Sequence, residues 1–258
     1  MSSTQLTNPW LLMRPVNPHA RLNLICFPYA GGGAQLFNSW QTGLITGEIQ
    51  VYGVQYPGRG SRLREQAFTD SSALVEAFLP HLLPVLNKPF AFFGHSMGAI
   101  IAFEVARLLQ NQHGLRPERL IVSGRRAPQL PRTDRLTYNL PDAEFTEELR
   151  RLNGTPPEVL DNPELMQLMI GIIRADFTLT QTYKYVPGPQ VTCPMSMFGG
   201  FGDTDVSRAQ LEAWCEQTTS VCSLKMFEGD HFFIQTNQAA VLKTIREQLL
   251  HNGVTAAE

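Results

Sequence analysis

The chain has 258 residues, a hydrophobic content of 43% and a net charge of −2, from 21 basic and 23 acidic side chains. This length fits one large domain or two small ones, and the composition excludes a disordered chain, a collagen-like fibre and a small disulfide scaffold. A general nucleic-acid-binding protein would usually be basic, so no nucleic-acid partner is expected.

Short apolar runs alternate along the chain with segments of helical periodicity. The runs predict buried strands at residues 22–27, 51–55, 90–93, 120–123, 195–198 and 223–227. The segments between them predict helices at residues 71–86, 97–112, 207–217 and 237–250. Short, fully apolar strands are typical of a parallel sheet that is covered on both faces. The alternation therefore predicts an α/β fold with a doubly wound, mostly parallel sheet.

One long stretch, residues 128–189, contains no clear strand and is rich in proline. It carries helical patterns at residues 142–152 and 163–183. Because it is too long for a plain connection, we predict a helical insertion over the carboxyl edge of the sheet, where such folds bind ligands. The helix at 164–177 is apolar on more than one face. Two interpretations stay open: a helix packed into the core, or a lid that lines an acyl pocket.

The cysteines and the first residues bear on the compartment. Cys26, Cys193, Cys215 and Cys222 form no CxxC pair, and we expect four reduced, mostly buried thiols. The beginning of the chain lacks a basic segment followed by an apolar one, so no signal peptide is expected. No apolar run is long enough to span a bilayer. The sequence therefore predicts a soluble cytoplasmic protein without a membrane partner.

The strongest chemical signal is the motif GHSMG at residues 94–98, which lies between a predicted strand and a predicted helix. GxSxG in this context is typical of a sharp turn that presents a serine hydroxyl at the edge of the sheet. The glycines of the motif permit the tight turn and close packing. We therefore predict that Ser96 is a nucleophile.

A nucleophilic serine needs a base, and the base needs an acid that orients it. Of the six histidines, His231 follows the last predicted strand and is the predicted base; the others fall before the first strand, in helices, in the tail or in the turn itself. The acid should lie between serine and histidine in chain order. Asp203, after strand 195–198, is preferred. Asp205 is the alternative, although it could cap the next helix, and Asp230 is expected at the surface or in a turn.

An oxyanion would need two backbone N–H donors in this kind of site. One should be Met97, which follows the nucleophile. The other should lie in the glycine-rich loop PYAGGG at residues 28–33, where Ala30 is the candidate. Phosphate binding is the alternative for such a loop, but neither GxGxxG nor GxxxxGK[ST] is present.

Ordered segments along most of the chain, from about residue 22 to 250, resemble the discrete (type II) thioesterases of nonribosomal peptide and polyketide synthesis. The segments are FPYAGGGA at 27–34, QYPGRGSR at 55–62, GHSMG at 94–98, LNGTPPEVL at 152–160, IRADFTLTQTYKY at 173–185, GGFGDTDVS at 199–207 and GDHFFI at 229–234. In this resemblance Ser96, His231 and Asp203 match the nucleophile, base and acid, and Ala30 and Met97 match the oxyanion donors.

The resemblance implies a single α/β-hydrolase domain over residues 1–258, with a helical lid at about 128–189. It implies hydrolysis of acyl thioesters from the phosphopantetheine arm of acyl- or peptidyl-carrier proteins, which clears aberrant or stalled chains, although some members release precursors or products. No metal or other cofactor is implied beyond the arm that the substrate carries. We expect a monomer, because no long exposed apolar helix lies outside the lid.

Two arginine groups could lie at the catalytic edge. Arg59, Arg62 and Arg64 cluster in PGRGSRLR, and Arg125 and Arg126 follow another strand. We predict that Arg59, Arg125 and Arg126 contact the phosphate of the arm or an acidic helix of the carrier. The alternative is that these are solvated loop arginines.

Three rival functions fit part of the pattern. The first is a carboxylic ester hydrolase or lipase on the same fold, and the second is a thioesterase that terminates fatty-acid synthesis, because fold alone does not define function. The third is a catalytically silent binding module. The ordered serine, aspartate and histidine argue against the last, and labelling of Ser96 by a fluorophosphonate would discriminate.

Overall fold

The computed structural model describes residues 8–13, 16–44 and 48–250. The first seven residues, which were considered for a signal peptide, and His251, which was considered as a base, lie outside the described residues. The strands are β1 Leu11–Leu12, β2 Leu22–Phe27, β3 Ile49–Val54, β4 Phe90–His95, β5 Arg119–Ser123, β6 Met195–Gly200 and β7 Cys222–Phe227. The α-helices are α1 Asn38–Gly43, α2 Ser71–Leu82, α3 Met97–His113, α4 Asp142–Leu152, α5 Pro157–Leu160, α6 Pro163–Thr182, α7 Arg208–Glu212, α8 Phe233–Thr236 and α9 Gln238–Leu250.

The strands of the described residues form one sheet in the order β1-β3-β2-β4-β5-β6-β7. Strand β1 pairs antiparallel with β3, and every other pair is parallel. The predicted α/β fold with a mostly parallel sheet is confirmed. Each of the six predicted strands is present, with ends displaced by no more than two residues. The prediction that 223–227 is buried is wrong, because β7 lies at the edge of the sheet and only Phe227 in it is buried. Strand β1 was not predicted, because two residues are too short to show an alternating pattern.

The core lies on both faces of the sheet, as the apolar runs of the central strands predict. In β4, Phe92 packs in the cluster formed with α2 and α3, whereas its neighbour Phe93 packs in the cluster formed with α1 and α9. Leu120 and Ile121 of β5 divide between the two clusters in the same way. Since successive side chains of a strand point to opposite faces, both faces must be covered for these residues to be buried.

The helices α4, α5 and α6 lie between β5 and β6, in the stretch where a helical insertion was predicted. They bury a separate apolar cluster that includes Phe145, Leu149, Met166 and Ile173. Nearer the end of α6, Leu179 belongs instead to the main core. The amino-terminal part of α6 thus packs on its neighbouring helices, and its carboxyl-terminal part is anchored on the sheet. None of the helices in the described ranges is long and apolar enough to cross a membrane.

The prediction of four reduced thiols is wrong for one pair. Cys215 lies in a 3₁₀ helix, Ala213–Gln217, and forms a disulfide with Cys222 at the start of β7. The short connection between helix and strand brings the two Cα atoms to 5.7 Å, within the range that a disulfide spans. Cys26 and Cys193 are free and buried, as expected.

Candidate active site

Ser96 occupies a strained turn between β4 and α3. Its φ of 54° and ψ of −112° lie outside the regions that a non-glycine residue prefers. Its backbone N–H donates to the carbonyl of Ser123 on the adjacent strand, at 2.8 Å. Strain of this kind persists only where the surroundings impose it, and it is concentrated at functional positions. The turn therefore holds the serine at the carboxyl edge of the sheet.

The two glycines of the motif are required by close backbone contacts. A Cβ atom at Gly94 would collide with the carbonyl of Gly98. A Cβ atom at Gly98 would collide with the carbonyl oxygens of Phe27 and Pro28, at the end of β2. These contacts pack the first turn of α3 against β2 and so place the serine beside the loop that follows β2.

His231 and Asp203 are hydrogen bonded to each other. The distance from His231 Nδ1 to Asp203 Oδ2 is 2.7 Å, and the two side chains are 17% and 1% exposed. The second carboxylate oxygen of Asp203 accepts the backbone N–H groups of Asp205 and Val206, at 2.9 and 3.1 Å. The carboxylate is therefore fixed on both sides, and the Nε2 atom of His231 is left for the cavity that His231 shares with Ser96.

The two other aspartates near the site have different surroundings. Asp205 is exposed, and its carboxylate lies 3.7 Å from Arg151. It does not cap α7, because Ser207 does so in a capping box with Gln210. Asp230 accepts the N–H of Phe232 at 2.8 Å, which is the turn role expected for it. Among these carboxylates, only that of Asp203 is hydrogen bonded to the imidazole.

The candidate oxyanion donors lie on two elements that meet beside Ser96. Met97 is the first residue of α3, so its N–H has no carbonyl partner within the helix. Ala30 follows β2 and lines the cavity together with Ser96. The next residue, Gly31, adopts a φ of +78° that favours glycine. Its N–H is bound by the carboxylate of Asp176 at 2.7 Å.

His95 is fully buried behind the candidate base. Its Nδ1 lies 2.9 Å from the Ser123 hydroxyl, and its ring centre lies 5.1 Å from that of His231. Burial, and secondly the positive charge that His231 can carry, hold the pKa of His95 well below its ordinary value. His95 is therefore a neutral packing residue, in line with the structural role that its position in the turn suggests.

A cavity of about 420 Å³ opens above Ser96 and His231, a size suited to a small-molecule ligand. Apolar side chains from α4 and α6, including Leu149, Ile173 and Phe177, form one part of its wall. Four arginines lie in another part: Arg125, Arg126, Arg132 and Arg135. In the described residues, no group of three His, Cys, Asp or Glu side chains is arranged to hold a metal ion.

Comparison with known proteins agrees with this arrangement. The thioesterase domain family matches residues 22–249 of the chain. The chain belongs to the thioesterase domain family. It is therefore a serine hydrolase of the thioester-hydrolase class with the α/β-hydrolase fold.

Three relatives illustrate the similarity. Linear gramicidin dehydrogenase LgrE of Brevibacillus parabrevis is 42% identical over 243 residues, which are 93% of this chain and 92% of that protein. Gramicidin S biosynthesis protein GrsT of Aneurinibacillus migulanus is 41% identical over 96% of this chain and 97% of its own length. The structure of the type II thioesterase BorB, from the borrelidin biosynthetic cluster, superposes with a TM-score of 0.85. It is 38% identical and covers 93% of this chain and 97% of BorB.

LgrE is named as a dehydrogenase, which is an oxidoreductase. The residues of this thioesterase do not support such an activity here. Dinucleotide-binding folds typically carry GxGxxG between a strand and a helix. The loop here has three consecutive glycines at 31–33, and the motif between β4 and α3 contains Ser96. The arrangement of this site agrees with the family instead.

The structure corrects the role predicted for Arg59. Arg59 is only 4% exposed and forms an ion pair with Asp176, between Nη1 and Oδ2 at 2.5 Å. It lies behind the loop of Ala30 and does not line the cavity, so it is not placed to contact a phosphate or a carrier helix. Its guanidinium is instead occupied by Asp176 and by the carbonyl of Gly32.

Arg125 and Arg126 do line the cavity of the thioesterase, but their hydrogen-bond partners differ. Arg126 is paired with Asp134, at 2.5 Å. The Nε of Arg125 is out of contact with solvent and has no hydrogen-bond partner among the residues described. Burial, and secondly the positive charges of Arg126 and Arg132, lower the pKa of Arg125 to about 10. Arg125 is half-buried as a whole and lines the cavity, and a buried donor without a partner is costly, which makes Arg125 a candidate for binding an anionic group.

The sequence did not reveal Asp176 as part of this region. The residue lies in α6 and is 2% exposed, between the buried residues Ile173 and Leu179. A carboxylate on a buried apolar helix face is unusual unless it is paired, and that was the available signal. Its partner could not be inferred, because Arg59 lies 117 residues away in the chain.

Proposed function

We propose that this thioesterase hydrolyses acyl groups from the phosphopantetheine arm of carrier proteins in nonribosomal peptide or polyketide synthesis, and so removes aberrant or stalled chains. The observation that carries the proposal is the cavity shared by Ser96 and a histidine that is hydrogen bonded to Asp203. The similarity to GrsT, named for gramicidin S biosynthesis, and to the type II thioesterase BorB of the borrelidin biosynthetic cluster supports the substrate class.

The proposed mechanism uses a Ser96–His231–Asp203 triad. His231 takes the proton of the Ser96 hydroxyl as the serine oxygen attacks the thioester carbonyl, while Asp203 orients the imidazole and stabilises its charged form. The N–H groups of Ala30 and Met97 stabilise the oxyanion. The pantetheine thiolate leaves readily, so the first half-reaction needs little acid assistance. Water, activated by His231, then releases the acid from the acyl-enzyme.

We further propose one domain, in which residues 128–189 act as a lid over the active site. The contacts of α4 and α6 support this role. Leu149, Ile173 and Phe177 turn apolar surface toward the cavity, and this surface suits an acyl chain. Leu165 and Leu168, on the outer side of α6, are exposed by 42% and 62%. Part of the apolar surface of α6 therefore lines the cavity, and part of it is exposed on the outer side of the helix.

Unloading of a carrier protein tests the function directly. A carrier domain is loaded with acetyl, a medium-chain acyl or an aminoacyl group, and release is followed by intact mass. We expect unloading of several acyl groups by the wild type and none above background by Ser96→Ala. Cleavage of p-nitrophenyl esters with carrier loads left untouched would indicate a small-molecule esterase. Release of only the medium-chain load would indicate a chain-terminating thioesterase, and lack of labelling by a fluorophosphonate a silent module.

Arg125 and Arg126 are proposed to meet the phosphate of the arm or an acidic helix of the carrier. We expect Arg125→Gln to raise KM for acyl-phosphopantetheine about tenfold or more, the size of a lost charged hydrogen bond. KM for the same acyl group on N-acetylcysteamine, which has no phosphate, should not change. Steady-state kinetics on the two thioesters measure the difference.

The arginine experiment has a matched control and a third substrate. Arg208→Gln removes an exposed arginine of α7, which is paired with Glu212 at 2.8 Å and does not line the cavity, and should leave KM unchanged. A rise in KM for the carrier-bound substrate alone would point to a carrier helix instead of the phosphate. An equal loss on all three substrates would contradict any contact with the arm or the carrier.

A further inference from the structure

Arg59 and Asp176 form a bidentate ion pair behind the active site. Arg59 comes from the loop after β3, and Asp176 comes from α6. The Nη1–Oδ2 and Nη2–Oδ1 distances are 2.5 and 2.7 Å, and the side chains are 5% and 3% exposed. Burying two charges costs much of what their attraction returns, so such a pair is weak evidence for stability alone. Its contacts with the neighbouring backbone indicate what it does.

The ion pair is hydrogen bonded to the two residues that follow Ala30, which are Gly31 and Gly32. Oδ2 of Asp176 accepts the N–H of Gly31 at 2.7 Å, and Nη1 of Arg59 donates to the carbonyl of Gly32 at 3.1 Å. One carboxylate and one guanidinium therefore fix an N–H and a C=O in consecutive residues. Gly31 has a positive φ and no side chain of its own, so contacts from other residues must fix its backbone.

This contact determines the direction of the Ala30 N–H through the backbone. The N–H of Gly32 donates to the carbonyl of Tyr29 at 2.9 Å. That carbonyl and the N–H of Ala30 belong to the same peptide unit, which is planar and trans, so the two point in opposite directions. Holding Gly31 and Gly32 thus holds the Tyr29 carbonyl, and this aims the Ala30 N–H away from it.

The segment that carries Arg59 is also linked to the loop through the side-chain amide of Gln55. The backbone carbonyl of Arg59 accepts from the Gln55 amide at 2.8 Å, and the same amide group accepts the N–H of Ala34 at 3.1 Å. Burial alone would lower the pKa of Arg59, but the Asp176 carboxylate outweighs this and raises it. The glycine-rich loop is therefore tied to the segment that carries Arg59 both at Gly32 and at Ala34, and Arg59 stays charged.

We propose that Arg59 and Asp176 are positioning residues that set the Ala30 N–H as an oxyanion donor, and thereby couple helix α6 to the oxyanion hole. The inference rests on the proposed role of Ala30 in thioester hydrolysis. Neither side chain touches the reacting atoms; each acts through the peptides of residues 29–32. The Ala30 N–H is proposed to stabilise negative charge that develops in the transition state and not in the bound substrate. Loss of the ion pair should therefore reduce kcat more than substrate affinity.

The test compares Asp176→Asn and Arg59→Lys with the wild type on acyl-N-acetylcysteamine thioesters. Because a displaced donor loses most of its stabilisation, kcat should fall on the order of 10²-fold in Asp176→Asn, with KM within about threefold. The affinity for an alkyl trifluoromethyl ketone, which forms an anionic adduct with the serine, should fall by the same factor as kcat. Arg59→Lys keeps the charge and should lose less of both.

Glu65→Gln is the matched control. Glu65 pairs with Arg62 in the same loop, at 2.5 Å between Oε2 and Nη2, but this pair does not contact residues 29–32. Its removal should leave kcat and the affinity for the ketone unchanged. If Asp176→Asn lowers the melting temperature but leaves kcat and ketone affinity at wild-type values, the pair is only structural and the proposal is overturned.

Two further observations keep the proposal testable if a variant does not fold. In the wild type, the amide of Gly31 should exchange slowly with solvent, and the Ala30 amide resonance should shift when the ketone binds. A Gly31 amide that exchanges like an open loop would overturn the proposal. Because N-acetylcysteamine thioesters need no carrier, a failure of wild-type enzyme to unload carriers would refute the proposed function while leaving this test intact.

Discussion

Replacing His231 by alanine is expected to lower kcat for thioester hydrolysis by about 10⁶-fold, and Asp203→Asn by about 10⁴-fold, as in other serine triads. Both half-reactions need a base, first for the serine and then for water, so the good thiolate leaving group does not rescue the histidine variant. In the proposed triad Asp203 acts through the imidazole, which it meets at 2.7 Å, so its loss would remove orientation and not the base itself. Single-turnover and steady-state rates on an acyl-N-acetylcysteamine would measure both effects.

The choice between the two aspartates has a control in the same loop. Asp205→Asn should leave kcat within about twofold of the wild type, because its exposed carboxylate meets Arg151 instead of the imidazole and an exposed ion pair contributes little. The double variant His231→Ala/Asp203→Asn should be no slower than His231→Ala, since residues that act as a unit do not have additive effects. A loss of activity in Asp205→Asn with none in Asp203→Asn would contradict the assignment of the acid.

Much of the fold and of the site could be predicted because the signals are local. Strand β2 was predicted with its observed ends, since six consecutive buried residues carry the pattern. The position of Ser96 follows from a motif of five residues whose glycines are required by contacts within the turn and with β2. His231 and Asp203 could be placed because carboxyl ends of parallel strands converge at one edge.

The features that escaped prediction depend on contacts distant in the chain or on short connections. In the sequence Arg59 looks like a loop cation that contacts a phosphate or the carrier, or is solvated, and only the fold brings it to Asp176, 117 residues later. The Cys215–Cys222 disulfide has no sequence motif; it depends on how the chain turns between a 3₁₀ helix and β7. Helix 207–217 was predicted as one segment, whereas it becomes 3₁₀ after Glu212. Such details depend on tertiary packing, which periodicity does not encode.

Gly98→Ala is expected to lower kcat by about 10³-fold and to lower the free energy of unfolding by about 1–3 kcal/mol or more. The added methyl group would collide with the carbonyls of Phe27 and Pro28, which are backbone atoms and cannot rotate aside. The first turn of α3 must move away from β2. That movement displaces the Ser96 hydroxyl and separates the N–H groups of Met97 and Ala30, so two parts of the site fail together.

The matched control for Gly98→Ala is Gly171→Ala in α6. A Cβ atom there would meet nothing within 4 Å, and alanine favours the helix interior, so this change should stabilise the protein by about 0.5–1 kcal/mol. Urea denaturation and kinetics on the same thioester would measure both variants. A Gly98→Ala enzyme with wild-type kcat would mean that the turn tolerates a shift of α3. The close packing of this helix on β2 would then not be what positions Ser96.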